Sequence, residues 1–151
     1  MISDVFVSQK VARLLRGTGF DEPCRAVISD EGRFSVISEG GKFSNSELKG
    51  FRKNPVACPT QQLAMRYLRE VKGLFVEVNI DYEYVDTDWG SDNDDLRYFY
   101  KVQLHRILKD KSVCNESFMD DIEEKEFDSY EDACEAGMIW LLENGKKKSW
   151  L

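Results

Sequence analysis

Histidine is almost missing from this chain: His105 is the only one in 151 residues. Imidazole-based acid-base catalysis therefore has a single candidate, and a zinc site built from histidine and cysteine has few ligands to draw on. Cysteine is sparse too. Cys24, Cys58, Cys114 and Cys134 are widely separated, and no two have the Cys-x-x-Cys spacing of a zinc or redox motif. Cys24, at the start of a strand-like run, and Cys134, in an apolar helical stretch, read as small buried hydrophobes in the reduced state. No apolar run is long enough to cross a bilayer, and MISDVFVSQK lacks the basic start and apolar core of a secretion signal. A cytoplasmic protein with no membrane partner is expected. Positive charge is also in deficit, with 21 Lys and Arg against 28 Asp and Glu and a net charge of -7. That balance disfavours unspecific attraction to nucleic acid and makes basic partners the easier ones to accept.

Phosphate-binding loops are missing as well. The glycines of RGTG, residues 16–19, follow a helical pattern and precede no lysine-serine or lysine-threonine pair, so they read as a helix stop. No serine or cysteine has an identifiable base, no cofactor motif occurs, and the reading points away from an enzyme.

What is present is a chain with 42% hydrophobic residues, enough for one domain with its own core over residues 1–145, followed by a flexible basic tail, 146–151. Ser8 caps a first helix with Val11, Leu14 and Leu15 as its apolar stripe and Arg13 and Arg16 facing water. CRAVISDEGRFSVIS reads as a hairpin turning at Asp30, Glu31 and Gly32, with Ala26, Ile28, Phe34 and Val36 on one face. Residues 39–55 have no sustained period and read as a long mobile loop. Thr60 caps a second helix whose stripe is Ala64, Tyr67, Leu68 and Val71, with Gly73 as its stop.

Two runs alternate apolar and polar residues: 74–85 and 96–107. Leu74, Val76, Val78, Ile80, Tyr82 and Tyr84 share a core face with Leu96, Tyr98, Tyr100, Val102 and Leu104; Phe99 falls on the wet face. Pairing Tyr82 with Tyr100 sets Asp81 opposite Lys101, Asn79 opposite Gln103 and Glu77 opposite His105, which makes His105 an ion partner. Ser129 caps a last helix, packed through Ala133, Ala136, Gly137, Trp140 and Leu141 and ended by Gly145. The expected fold is α+β in the order helix, hairpin, helix, hairpin, helix, with an antiparallel sheet of about four strands and helices on one face.

Two acidic stretches carry what functional signal there is. DTDWGSDNDD, residues 86–95, holds five carboxylates, yet counted from Asp86 the EF-hand glycine position is Ser91 and the bidentate glutamate position is Arg97, so no metal site is expected. Residues 116–135 hold ten acids and one base, Lys125. Acids gathered on a surface can steer and hold a basic partner. The candidate contact residues are Asp86, Asp88, Trp89, Asp92, Asp94, Asp95, Asp120, Asp121, Glu123 and Glu124. An alternative contact, to nucleic acid, is the outer face of the second helix with Arg66, Arg69 and Lys72.

Three segments, FVSQKVARLLRGTGFDEPC, CPTQQLAMRYLREVKGLFVEV and FDSYEDACEAGMIWLLEN, together resemble small uncharacterised proteins of phages and prophages of gut Bacteroidales. There a glycine-stopped helix with GF-x-E-P-C, a P-T-Q-x-L-A helix and a Y-E-E-A-x-E-A-G helix follow in this order. The resemblance implies a mobile-element origin and a compact α+β domain; it implies no activity and no catalytic residue. The expectation is a non-catalytic phage or prophage protein that binds a host or viral protein through an acidic surface, with the nucleic-acid module as the alternative.

Overall fold

The computed structural model describes residues 4–85, 95–115 and 122–151, with backbone alone for residues 85, 95 and 115. The chain runs α1 (Gln9–Gly17), β1 (Ala26–Ile28), β2 (Phe34–Val36), β3 (Val56–Cys58), α2 (Gln61–Val71), β4 (Leu74–Val85), β5 (Asp95–Ile107), β6 (Val113–Asn115) and α3 (Tyr130–Lys147). The class is α+β. Both expected hairpins form, but the single sheet of about four strands does not. Each hairpin takes a third short strand, giving two antiparallel sheets with the orders β2-β1-β3 and β4-β5-β6. Strands β3 and β6, three residues each, are too short to leave an alternation in the sequence.

The helix starts are where their caps put them. Ser8 Oγ accepts the Val11 N–H at 3.3 Å, Thr60 Oγ1 the Leu63 N–H at 3.2 Å, and Ser129 Oγ the Asp132 N–H at 3.1 Å. Each cap satisfies a donor the helix itself cannot, worth about 1 kcal/mol. Between α2 and β4 the chain turns at Gly73, with φ +66°. A side chain there would meet the Ile107 carbonyl oxygen at 2.8 Å, so both the dihedral and the space demand glycine.

One core cluster joins residues from α1, β1, β3, α2, β4, β5 and α3. Helix α3 is its centre, packed on β4 and β5 on one side and on α1 on the other. Its buried residues include Cys134, Met138 and Leu142 as well as Ala133, Gly137 and Leu141, because two packing surfaces bury more than one stripe. Several expectations change in this setting. Val71 is 61% exposed, since α2 has ended its buried stripe one turn earlier. Arg13 faces water only in part: its Nη2 is buried and lies 2.7 Å from Asp30 Oδ1. Gly145 does not stop α3 but lies buried within it, and the segment expected as a tail returns over it. The Trp150 N–H donates to the Gly145 carbonyl at 2.8 Å, and Arg106 and Lys148 lie over the Trp150 ring at 5.1 and 4.9 Å.

The long segment 39–55 is stitched down by a buried side chain. Asn45 Nδ2 donates to the Phe20 carbonyl at 2.8 Å, and Asn45 Oδ1 accepts the Ala57 N–H at 2.9 Å. Phe43 adds a two-way backbone bridge to Cys24.

Strands β4 and β5 pair with Tyr82 opposite Tyr98, not Tyr100. The difference is a slip of two residues, which keeps every side chain on its face and so escapes any argument from alternation. The observed register sets Glu83 opposite Arg97 with 3.0 Å between their charged groups; the expected one would have set Glu83 opposite Phe99. The Glu77–His105 contact survives, at 2.7 Å, as a diagonal pair.

Candidate functional site

Strand β4 has 12 residues and α3 has 18. At about 3.3 Å per strand residue the strand spans roughly 40 Å, whereas at about 1.5 Å per helical residue α3 spans roughly 27 Å. The hairpin must outrun the helix that covers it. Gly145 of α3 packs near Leu74, and Gly137 sits over Val76, Val102 and Leu104. At the start of α3, the Tyr130 ring meets Tyr100 edge-on at 6.3 Å. Beyond Tyr100 the described residues leave the same sheet face bare: Ile80 is 51%, Tyr82 60%, Tyr84 75%, Leu96 52% and Tyr98 64% exposed. These were expected in the core by alternation, which reports a shared face but not what lies over it.

The opposite face of this arm is knitted together by polar pairs. Arg97 contacts Glu83 at 3.0 Å and Glu126 at 2.6 Å, and Asn79 donates to Gln103 at 3.5 Å. Phe99, expected to face water, is buried on this side, with Arg97 and Lys101 over its ring at 5.6 and 5.8 Å. The segment carrying Glu126 is fixed along β5 by two backbone bonds of 2.9 Å between Tyr100 and Phe127. Acids that looked like an undivided surface run therefore include structural ones. Glu135 is another: its Oε1 accepts the Ser8 N–H at 2.9 Å at the start of α1, and its Oε2 lies 3.4 Å from Gln61 Nε2.

Of the sequence-selected contact residues, Asp86, Asp88, Trp89, Asp92, Asp94, Asp120 and Asp121 lie outside the described residues, and Asp95 is described by its backbone only. Glu124 is exposed and Glu123 half-buried. Glu123 lines a shallow groove on the arm with Asn79, Asp81, Lys101 and Gln103. On α2, Arg66 Nε lies 3.3 Å from Glu70, and Arg69 lies 3.7 Å from the same carboxylate and 6.0 Å from the Phe75 ring centre. Lys72 is the helix C-cap. One acid thus offsets part of the charge that would face phosphates.

The remaining chemistry-bearing groups serve the fold. Burial pushes the thiols of Cys24 and Cys58 up to about 12 and that of Cys134 to about 11, which keeps them protonated and poor nucleophiles. Asp21 is held below its ordinary range by the Ser46 N–H at 2.6 Å and the Ser46 hydroxyl at 2.8 Å. It lines a cleft of about 300 Å³ with Arg16 and Asn54, and those two side chains are bonded to each other at 3.1 Å. Among the described residues no three His, Cys, Asp or Glu side chains are grouped to hold a metal ion, and no helix is long and apolar enough to cross a membrane.

The arm is thus the place where the described structure leaves an apolar surface unused. No protein-family model, curated protein or solved structure matches the chain.

Proposed function

We propose that this chain is a non-catalytic interaction protein, of phage or prophage origin, that binds a basic host or viral protein through the outer half of the β4–β5 arm. The observation that carries the reading is the bare row of Ile80, Tyr82, Tyr84, Leu96 and Tyr98. Taking about 150–250 Å² per large side chain, these expose roughly 450–750 Å². That is at the top of the range for an ordinary monomer's largest apolar patch, and patches of this size mark contact sites. Tyrosine suits the role, since its ring contributes area with few rotamers to freeze and its hydroxyl tolerates water before binding. The acids Asp86, Asp88, Asp92 and Asp94, with Trp89, lie in the sequence joining the two strands, and Asp95 opens β5. They supply the negative charge that would steer a basic partner toward the arm.

The test replaces Tyr82 and Tyr98 together by serine. Both are mostly exposed, so the melting temperature should hold, while proteins captured by the wild-type chain from host extract are lost. Capture unchanged by the double variant would remove the arm as the contact. DNA binding at low ionic strength that declines steeply with salt, and is abolished by Arg66→Ala with Arg69→Ala, would transfer the function to α2.

A further inference from the structure

Area alone does not complete the proposed contact. Burying half of the bare row at about 25 cal/mol/Å² contributes roughly 6–9 kcal/mol, no more than the middle of the ~4–15 kcal/mol lost on association. A second source of binding energy is needed, and the sheet offers one in the backbone of β4.

Among the described residues β4 pairs only with β5. The Ile107 N–H donates to the Gly73 carbonyl at 2.7 Å, so in this antiparallel register the odd-numbered residues 73 to 85 turn their N–H and C=O groups toward β5, and the even-numbered ones turn theirs outward. Tyr100, which opposes Ile80, obeys the same parity by bonding Phe127 on the far side of β5. Val78, Ile80, Tyr82 and Tyr84 therefore present outward backbone groups, and the last three also carry β4's side chains of the apolar row. At Tyr82 the outward N–H is occupied by the chain itself, donating 2.9 Å to Asp81 Oδ1.

Long edge strands are commonly protected by lysine, proline or a bulge. Residues 74–85 contain no lysine, arginine, proline or glycine, but they do contain Glu77, Asp81 and Glu83 on the face opposite the apolar row. These acids guard against self-association. In every antiparallel pairing of two β4 strands centred from residue 79 to residue 82 an acid opposes an acid, which is destabilising. They favour a different occupant. We infer that the outer edge of β4 is a docking strand for an extended segment of a partner protein that alternates apolar residues with lysine or arginine. Its apolar side chains would extend the row of Ile80, Tyr82 and Tyr84, and its basic ones would oppose Asp81 and Glu83 as it adds a further strand to the sheet. A partner carbonyl would take the Tyr82 N–H and release the Asp81 carboxylate to a cation. This inference rests on the arm being the contact site.

The experiment uses the full chain labelled with ¹⁵N and three short synthetic peptides. One alternates valine and lysine, the second is the same peptide N-methylated at its valines, and the third alternates valine and glutamate. The valine–lysine peptide should bind and slow amide exchange at Ile80, Tyr82 and Tyr84 at least tenfold; the other two should bind at least tenfold more weakly. Equal binding by the N-methylated peptide, or binding without protection of those amides, would overturn edge pairing. So would no binding by any of them. Those outcomes leave the arm itself standing if Tyr82→Ser with Tyr98→Ser still abolishes partner capture. If capture too is untouched, both readings fall.

Discussion

Gly137 offers the sharpest check on how α3 meets the second sheet. A methyl group at this position would lie 2.7 Å from Val76 Cγ1, 3.2 Å from Val102 Cγ1 and 3.5 Å from Leu104 Cδ2. Valine in a strand has little freedom at χ1, and the two valines belong to neighbouring strands, so they cannot both turn away without opening the sheet or lifting the helix. Overpacking of this kind costs about 1–3 kcal/mol. Alanine in place of glycine in a helix returns about 1 kcal/mol of it. Gly137→Ala should therefore destabilise the protein by up to about 2 kcal/mol, a fall in Tm of up to roughly 8 °C for a chain of this size. Gly17 supplies the control, because it is also helical but has no atom within 4 Å of the added methyl group. Gly17→Ala should stabilise by about 0.5–1 kcal/mol. Urea unfolding followed by circular dichroism would measure both. A Gly137→Ala variant that gains as much stability as Gly17→Ala would refute the claim that close approach at this residue sets the seat of α3 on the sheet.

Asn45→Ala should cost roughly 2–6 kcal/mol, since it orphans the buried Phe20 carbonyl and the Ala57 N–H at about 1–3 kcal/mol each; faster exchange of the Ala57 amide would locate the loss. Stability should fall as pH rises from 9 toward 11, because the unfolded thiols ionise near their ordinary 9.0 while burial keeps Cys24, Cys58 and Cys134 protonated. The unfolded state then binds fewer protons, with a slope of about 1.4 kcal/mol per pH unit for each thiol. Urea midpoints across that range should decline less steeply when all three are alanine. Trp150→Ala should destabilise by about 1–2 kcal/mol by removing a half-buried ring and its contacts with Arg106 and Lys148; an unchanged melting curve would mean the returning segment adds nothing.

Much of the local structure was legible because it rests on near neighbours. Ser8, Thr60 and Ser129 cap helices through hydrogen bonds to residues three positions on, and the alternation in 74–85 and 96–107 assigns each side chain a face whatever the rest of the chain does. The site was legible only in outline. Glu77 and His105 do meet, but the register was misplaced by two residues, since slips of two leave the faces intact. The bare half of the arm was invisible, because Ile80 and Val76 have equivalent places in the pattern and differ only in whether α3 reaches them.

The amino-acid sequence by itself determined the α+β class, the starts of the three helices, the two hairpins and the acidic balance, all consequences of capping, periodicity and charge that act within a few residues. Only the tertiary structure decided that the hairpins lie in separate sheets, that Asn45 ties the 39–55 segment to the core, and that Glu126 and Glu135 serve the fold. It alone decided which part of β4 and β5 stays uncovered. Those outcomes depend on lengths and distances between segments remote in sequence, above all on a strand pair longer than the helix that covers it.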